Sequence, residues 1–469
     1  MTKINSKIPE KSSLLSLLQK RGIFIDASCG GRGRCGRCRV LIKENPKPPN
    51  QVEKILIPDR LLKKGYRLAC LYMVRKIPKI VIPEYHKEPK KGNIKNTGLA
   101  IDIGTTVLKG ALVDLSQGKI LKTAKIYNPQ QSFGGDVITR LDMAVNRHKY
   151  SVLRNLVIKG IEKLKKRLNA TNLSFTTIVG NTVMLSFYLG KSVKGLSCYP
   201  FQGEITEGVF LKNPSRYILG CIGGFIGGDT IAGIIASGIL SNNFPSLYID
   251  LGTNGEIALV LDKKIYAVST AAGPAFDGAG LSCGSLGQPG AIEAVAYYKG
   301  FKIYTIDNKP PIGFCASGLI DLLGVILKLG WLDEYGRLKG KFKLAGFDIT
   351  QKDIRTLQLA IGAIHTGVKF LIDNAGIKSN DIGEAVITGE FGSHLNSKSL
   401  IQVGILPTTI KNIRMEKDLP LRGAISLLLN QVNTEDVERV RKCSTHFDLA
   451  LQTDFQKRFV EGLFLKPWN

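Results

Sequence analysis

Four cysteines set the strongest constraint on this chain. Cys29, Cys35 and Cys38 fall within ten residues, spaced C-x5-C-x2-C, and Cys70 follows after 31 intervening residues. Three close thiols and one distant thiol match the ligand pattern of a [2Fe–2S] cluster. That cluster takes four thiolates, in a spacing whose first gap is one residue shorter. Gly30, Gly31, Gly33 and Gly36 are interleaved with the cysteines. Lacking Cβ, they allow positive φ and let backbone amides turn toward the cluster sulfides. A structural zinc site pairs two close C-x2-C units, and no second cysteine lies near Cys70 in the sequence. A disulfide framework suits a short secreted chain, whereas this one has 469 residues.

Formal net charge is +27, unevenly spread. Residues 1–97 carry 23 Lys and Arg against 7 Asp and Glu. A field of that sign attracts acidic partners. Arg32, Arg34, Arg37 and Arg39 sit among the cysteines, which favours an acidic redox protein over nucleic acid. Apolar runs such as Ile231 to Leu240 contain Gly and Ser and fall short of the roughly 20 residues that a membrane span needs. The first residues lack the apolar core of a signal peptide, so the expected location is the cytoplasm and no membrane association is expected.

In chain order, Ser12 to Lys20 predicts a helix with serine in the capping position. Cys38 to Ile42 alternates as a strand, Asn45 to Asn50 is a turn, and Ile77 to Ile82 reads as a closing strand. This outlines a small β-grasp domain at 1–83 whose opening hairpin is trimmed or missing. Residues 84–97 are polar and basic and read as a linker. The stretch Gly98 to Leu115 predicts a hairpin around Gly104-Thr105-Thr106. The pattern returns 148 residues later, where Asp250-Leu251-Gly252-Thr253 repeats the Asp-x-Gly-Thr of Asp102 to Thr105. Such a repeat implies two copies of one α/β unit within 98–469. Further on, Ile354, Leu357, Ile361, Ile364, Val368 and Leu371 mark one face of a long helix from Lys352 to Asn374. Strand Ala385 to Ile387 then runs into Thr388-Gly389-Glu390-Phe391-Gly392.

Two Asp-x-Gly-Thr hairpins facing each other suit Mg-ATP. Backbone amides and threonine hydroxyls donate to phosphate oxygens, and each aspartate can hold Mg²⁺ directly or through its waters. The G-x-x-x-x-G-K-[ST] phosphate loop is absent from the sequence. Asp102 and Asp250 are the candidate metal and water-positioning groups. Asp136 and Asp229 are secondary candidates, each equally readable as a cap. Glu256 orients water or opens a strand, and Lys109 reaches a phosphate or is simply solvated.

At these residues the chain resembles the actin/hexokinase/Hsp70-like ATPases, whose fold is a duplicated RNase H-like unit. Asp102 to Thr106 looks like the first phosphate motif, Asp250 to Glu256 like the second, and Thr388 to Gly392 like the adenosine motif, with Glu390 where glycine is usual. Together with the ferredoxin-type cysteines, the chain resembles the reductive activators of corrinoid proteins. Tyr127 to Val137, Val179 to Thr182, Gly227 to Thr230 and Ala271 to Gly278 extend that resemblance over nearly the whole chain. Larger members carry a middle domain, for which only the 84–97 linker stands here.

The resemblance implies an α/β protein in which a [2Fe–2S] ferredoxin-like domain precedes a two-lobed ATPase. It implies cluster ligation by Cys29, Cys35, Cys38 and Cys70. It further implies nucleotide contacts from Gly104, Thr105, Thr106, Asp229, Gly252, Thr253, Asn254, Gly255, Glu256, Gly389 and Gly392. The implied activity is ATP-dependent one-electron reduction of an acidic corrinoid protein from Co(II) to Co(I), fed by an upstream donor, with a homodimer left open. A metabolite kinase with a regulatory cluster, an electron carrier for another metalloprotein, and a nucleic-acid-binding protein are the alternatives. Cys198, Cys221, Cys283, Cys315 and Cys443 read as inert thiols, and His365 as a packing residue on the long helix.

Overall fold

The computed structural model describes residues 12–20, 38–57, 59–74, 77–81, 96–277, 281–389 and 395–469. The chain divides into two units, Met1–Gly92 and Asn93–Asn469. All counts below refer to the described residues.

The first unit holds β1 (Ser12–Ser13), α1 (Leu14–Lys20), β2 (Arg39–Ile42), α2 (Gln51–Leu56), α3 (Asp59–Lys63), β3 (Tyr66–Leu68), β4 (Met73–Val74) and β5 (Ile80–Val81). Its sheet runs β3-β2-β5, and β1 pairs with β4. Ser13 belongs to β1, yet its hydroxyl still accepts the Ser16 N–H at 3.2 Å, so the expected cap is present with the helix opening at Leu14. Leu14, Leu15 and Leu18 pack with Val40, Ile42, Leu68 and Tyr72. Glu53 ties this core to the loops. Its carboxylate accepts the Leu68 N–H at 2.8 Å and the Asn50 N–H at 3.0 Å. Residues 21–37, including Cys29 and Cys35, and the stretch 82–95 lie outside the described residues.

The second unit begins with β6 (Thr97–Ile103), β7 (Val107–Asp114) and β8 (Lys119–Tyr127), followed by α4 (Val137–Val145), α5 (Tyr150–Leu168), β9 (Leu173–Gly180), α6 (Thr182–Leu189), α7 (Lys194–Ser197), β10 (Val209–Leu211), β11 (Arg216–Ile218) and α8 (Gly228–Ser237). Next come β12 (Ser246–Leu251), β13 (Gly255–Leu261), β14 (Lys264–Thr270), β15 (Ala291–Tyr297), β16 (Phe301–Thr305), β17 (Gly313–Phe314), α9 (Ala316–Lys328), β18 (Phe342–Leu344), β19 (Phe347–Ile349) and α10 (Gln351–Asn374). The chain ends with β20 (Glu384–Thr388), α11 (Ser397–Gln402), β21 (Ile413–Met415), α12 (Leu419–Leu428), α13 (Thr434–Lys442), β22 (Ser444–Phe447) and α14 (Phe455–Gly462).

Two sheets of six described strands carry the duplication, ordered β10-β11-β9-β6-β7-β8 and β21-β20-β12-β13-β14-β22. In each, three consecutive strands run antiparallel and the next strand joins the first one in parallel. Side-chain alternation along a strand then decides where the aspartates point. Leu99, Ile101 and Ile103 pack with Leu153, Val157 and Leu164 of α5, while Ala100 packs with Ile231 of α8 and Ala424 of α12. Asp102 shares the Ala100 face. In the second sheet Leu247, Ile249 and Leu251 pack with Leu357, Ile361 and Ile364 of α10. Tyr248 packs with Ile234 of α8 and Leu419 of α12, and Asp250 shares the Tyr248 face. Both aspartates therefore project into the layer between the sheets, which α8 and α12 fill. The six residues expected to form the buried face of the long helix are all buried. Thr350 caps that helix in a reciprocal box with Asp353.

Candidate functional site

The cleft between the two sheets is lined by Asp102, Gly104, Thr105, Thr106, Val107, Lys109, Asn181, Asp229, Asp250, Gly252, Thr253, Asn254, Glu256, Thr388, Gly389, Asp418 and Pro420. The two hairpin turns meet there, with Thr106 Oγ1 lying 2.9 Å from Thr253 Oγ1. Asn181 caps α6 by accepting the Met184 N–H at 3.0 Å. Its amide then donates to Thr105 Oγ1 at 2.9 Å. Gly389 has φ of 107°, and a Cβ there would come within 2.1 Å of the Leu251 carbonyl oxygen. Only glycine lets the end of β20 approach the second hairpin this closely.

The duplicated hairpins differ in charge. Asp102 sits directly across from Lys109 on β7, whereas Asp250 sits across from Glu256 on β13. Lys109 Nζ also reaches Asp418 Oδ1 at 2.7 Å. Burial pushes Asp102 well above the usual carboxylate range, opposed by Lys109 and reinforced by Asp229 and Asp250. Burial and then Asp250 raise Asp229 to about 7. Burial raises Asp250 to about 6, against the pull of Lys109. Glu256 is raised by burial and by the same aspartates.

Five carboxyl groups thus face one lysine in the lining of this cleft. A wall of that sign repels bare polyphosphate and admits it together with a cation. Among the described residues no three His, Cys, Asp or Glu side chains form a ready metal cage. Mg²⁺ keeps several waters and takes one or two carboxylates plus phosphate oxygens. Asp102, Asp229 and Asp250 line the cleft, and carboxylates are donors of the kind such an ion takes.

In the first unit the β2–β3 ladder continues past its last pair, where the Ala69 N–H donates to the Cys38 carbonyl at 2.8 Å. This brings Cys38 Sγ to 3.2 Å from Cys70 Sγ, both buried. The separation is well beyond a disulfide bond of about 2.05 Å, and two adjacent thiols at a strand end fit a shared metal.

Of the residues expected from sequence, Gly255 is not at the cleft. It opens β13 and faces α10, where an added Cβ would come within 2.1 Å of Ile364 Cδ1. The rest of the described nucleotide set lines the cleft. Asp136 is a cap, accepting the Thr139 N–H at 2.8 Å. Glu390 and Gly392 lie outside the described residues. Sequence reasoning missed Asp418 and undervalued Lys109. Asp418 has no local signature and meets Lys109 only through the tertiary fold. Cys221 and Cys283 are buried with thiols pushed up to about 12 by burial. His365 packs at 4.7 Å against Trp468. No helix among the described residues is long and apolar enough to cross a membrane.

Comparison with known proteins bears on both units. Residues 2–75 match the 2Fe-2S iron-sulfur cluster binding domain, residues 97–242 the RACo middle region, and residues 245–469 the C-terminal domain of RACo, the ASKHA domain. The middle region expected to be missing is therefore the first lobe itself. The corrinoid activation enzyme RamQ of Eubacterium limosum is 33% identical, over 77% of this chain and 69% of that protein. The [Co(II) methylated amine-specific corrinoid protein] reductase of Methanosarcina barkeri is 27% identical, over 76% and 74%. A solved reductive activator for corrinoid, iron-sulfur protein shares the fold at a TM-score of 0.71 and 24% identity, covering 97% of this chain and 95% of that one. An iron-sulfur binding domain and a duplicated ASKHA-type ATPase fold in one chain, with these relatives, place the protein in the family of reductive activators of corrinoid proteins.

Proposed function

We propose that the protein hydrolyses ATP to return a corrinoid protein from Co(II) to Co(I). One electron enters from an upstream donor and one leaves to cobalt. The observation carrying this reading is the pairing, in one chain, of a buried Cys38–Cys70 thiol pair at 3.2 Å with an acidic, hydroxyl-rimmed cleft between duplicated hairpins. When bound, a [2Fe–2S] cluster supplies one-electron chemistry, and Cys29 and Cys35 complete its ligand set. Arg39 and its sequence neighbours Arg32, Arg34 and Arg37 favour docking of an acidic partner.

In the cleft, Thr105, Thr106 and Thr253 present hydroxyls to phosphate oxygens, and Lys109 offsets part of their charge. One or two of Asp102, Asp229 and Asp250 would hold Mg²⁺, which would supply positive charge beside the polyphosphate. The same aspartates orient the attacking water, the role general to phosphoryl transfer sites. α8 and α12 pack against both sheets, so closure of the lobes on nucleotide would shift them. Reversing a 1:99 ratio of two states to 99:1 takes about 5.5 kcal/mol of differential binding. For one electron, about 59 mV corresponds to a tenfold change in equilibrium.

The test combines anaerobically purified protein, Mg-ATP and a low-potential reductant with a Co(II) corrinoid protein, and follows the Co(I) absorbance. The reading expects Co(I) only with ATP present. Equal Co(I) formation without ATP, or none with several corrinoid proteins, overturns it.

A further inference from the structure

The turn of the first hairpin is held from behind by a segment that does not line the cleft. The Gly104 carbonyl accepts from Asn128 Nδ2 at 3.0 Å. The Thr106 carbonyl accepts from the Asn128 N–H at 2.9 Å and from Gln131 Nε2 at 3.3 Å. In a planar trans peptide the C=O and N–H point in opposite directions. Fixing the carbonyls of Gly104 and Thr106 toward Asn128 therefore aims the N–H groups of Thr105 and Val107 away from it, and both residues line the cleft.

The holder is itself anchored. Asn128 is 1% exposed, and its Oδ1 accepts the Gln130 N–H at 3.0 Å, capping the 3-10 turn Pro129–Phe133. Gln130 is fully buried. It donates to the Leu153 carbonyl of α5 at 2.9 Å and accepts from Arg140 Nη1 at 3.1 Å. Arg140, also fully buried, donates from Nε to the Gly134 carbonyl at 2.9 Å. Its Nη2 has no hydrogen-bond partner among the described residues. Nη1 also lies 3.5 Å from Met184 Sδ, and burying a guanidinium with one nitrogen unpartnered is costly. Both hairpin turns also close on themselves, the first through the Gly104 N–H donating to the Val107 carbonyl at 3.1 Å and the second through the Gly252 N–H donating to the Asn254 carbonyl at 2.9 Å.

We propose that Asn128 is a positioning residue for nucleotide binding. Its side-chain amide, seconded by Gln131, presets two backbone N–H groups of the first hairpin toward the phosphates. The inference rests on the nucleotide reading of the cleft. Preset amides act in the ground state and the transition state alike, so their loss raises KM for Mg-ATP and leaves kcat nearly unchanged.

Asn128→Asp separates this role from a merely structural one. It keeps the Oδ1 acceptor that caps the turn and removes the donor to Gly104. The measurement is Mg-ATP binding by titration calorimetry, with steady-state ATPase kinetics, on the full chain with its cluster. Asn128→Asp should raise the Kd and KM for Mg-ATP about tenfold or more, with kcat within about twofold. Gln131→Ala, at an exposed position, should raise both about threefold. Wild-type Kd in both variants overturns the inference while leaving the nucleotide reading intact. A wild-type protein that binds no Mg-ATP overturns both.

Discussion

Lys109 Nζ lies 2.7 Å from Asp418 Oδ1, joining a strand of the first lobe to the residue that precedes α12. The lysine side chain is 12% exposed and the aspartate 30%. Lys109 also draws down Asp102 and Asp250 against their burial. It is the cation of an otherwise acidic cleft lining, so Lys109→Met should weaken Mg-ATP binding about tenfold or more, roughly 1.4 kcal/mol. Asp418→Asn keeps the lysine and should cost less. Equilibrium titration of both variants checks the order.

Cys38 and Cys70 sit at the end of one ladder, and each should be indispensable to cluster assembly. Cys38→Ser and Cys70→Ser should each lower bound iron severalfold and remove the visible charge-transfer absorbance. Nucleotide binding, housed in the other unit, should be retained. Iron analysis and absorbance of anaerobically reconstituted protein decide this.

Gly389 combines φ of 107° with a Cβ path blocked by the Leu251 carbonyl at 2.1 Å and Asp250 Oδ1 at 2.9 Å. Gly389→Ala should destabilise the second unit by about 2 kcal/mol or more and weaken nucleotide binding as well. Gly346 has a comparable positive φ of 88° but open space around it. Gly346→Ala should cost less, since it carries backbone strain alone. Denaturant unfolding of the two variants makes the comparison.

His365 is buried, and its Nδ1 lies 2.7 Å from the Gly404 carbonyl. Burial holds its pKa below the ordinary histidine value, aided by Lys369 and opposed by the Gly404 bond and Glu461. The folded chain then binds fewer protons at this site than the unfolded chain does. Its contribution to stability is therefore full above the unfolded-state pKa near 6.5 and is lost as pH falls toward the folded value. Stability measured from pH 7 to pH 5 should fall less steeply in His365→Phe than in the wild type.

Legibility followed the range of the interactions. The repeat of Asp102 to Thr105 at Asp250 to Thr253 and the apolar face of α10 are local patterns, and both could be read directly. Gly255 lies off the cleft lining because sequence adjacency to Thr253 says nothing of direction. Alternation along β13 turns it toward Ile364. Asp418 was invisible because its partner is 309 positions away. Asn128 stood inside a recognised stretch, but its role lies in hydrogen bonds to carbonyls, which no side-chain pattern encodes.

α12 has a consequence for anyone dissecting the molecule. The chain leaves the second sheet at β21 and returns to lay Leu421, Ala424 and Leu428 over Ala100, Ala111 and Val179 of the first. A fragment stopped at residue 242, where the matched middle region ends, would lose that lid and expose the underside of its own sheet. The first lobe is therefore not a separable module, and its expression alone should give aggregating material unless Leu419–Leu428 is supplied in trans.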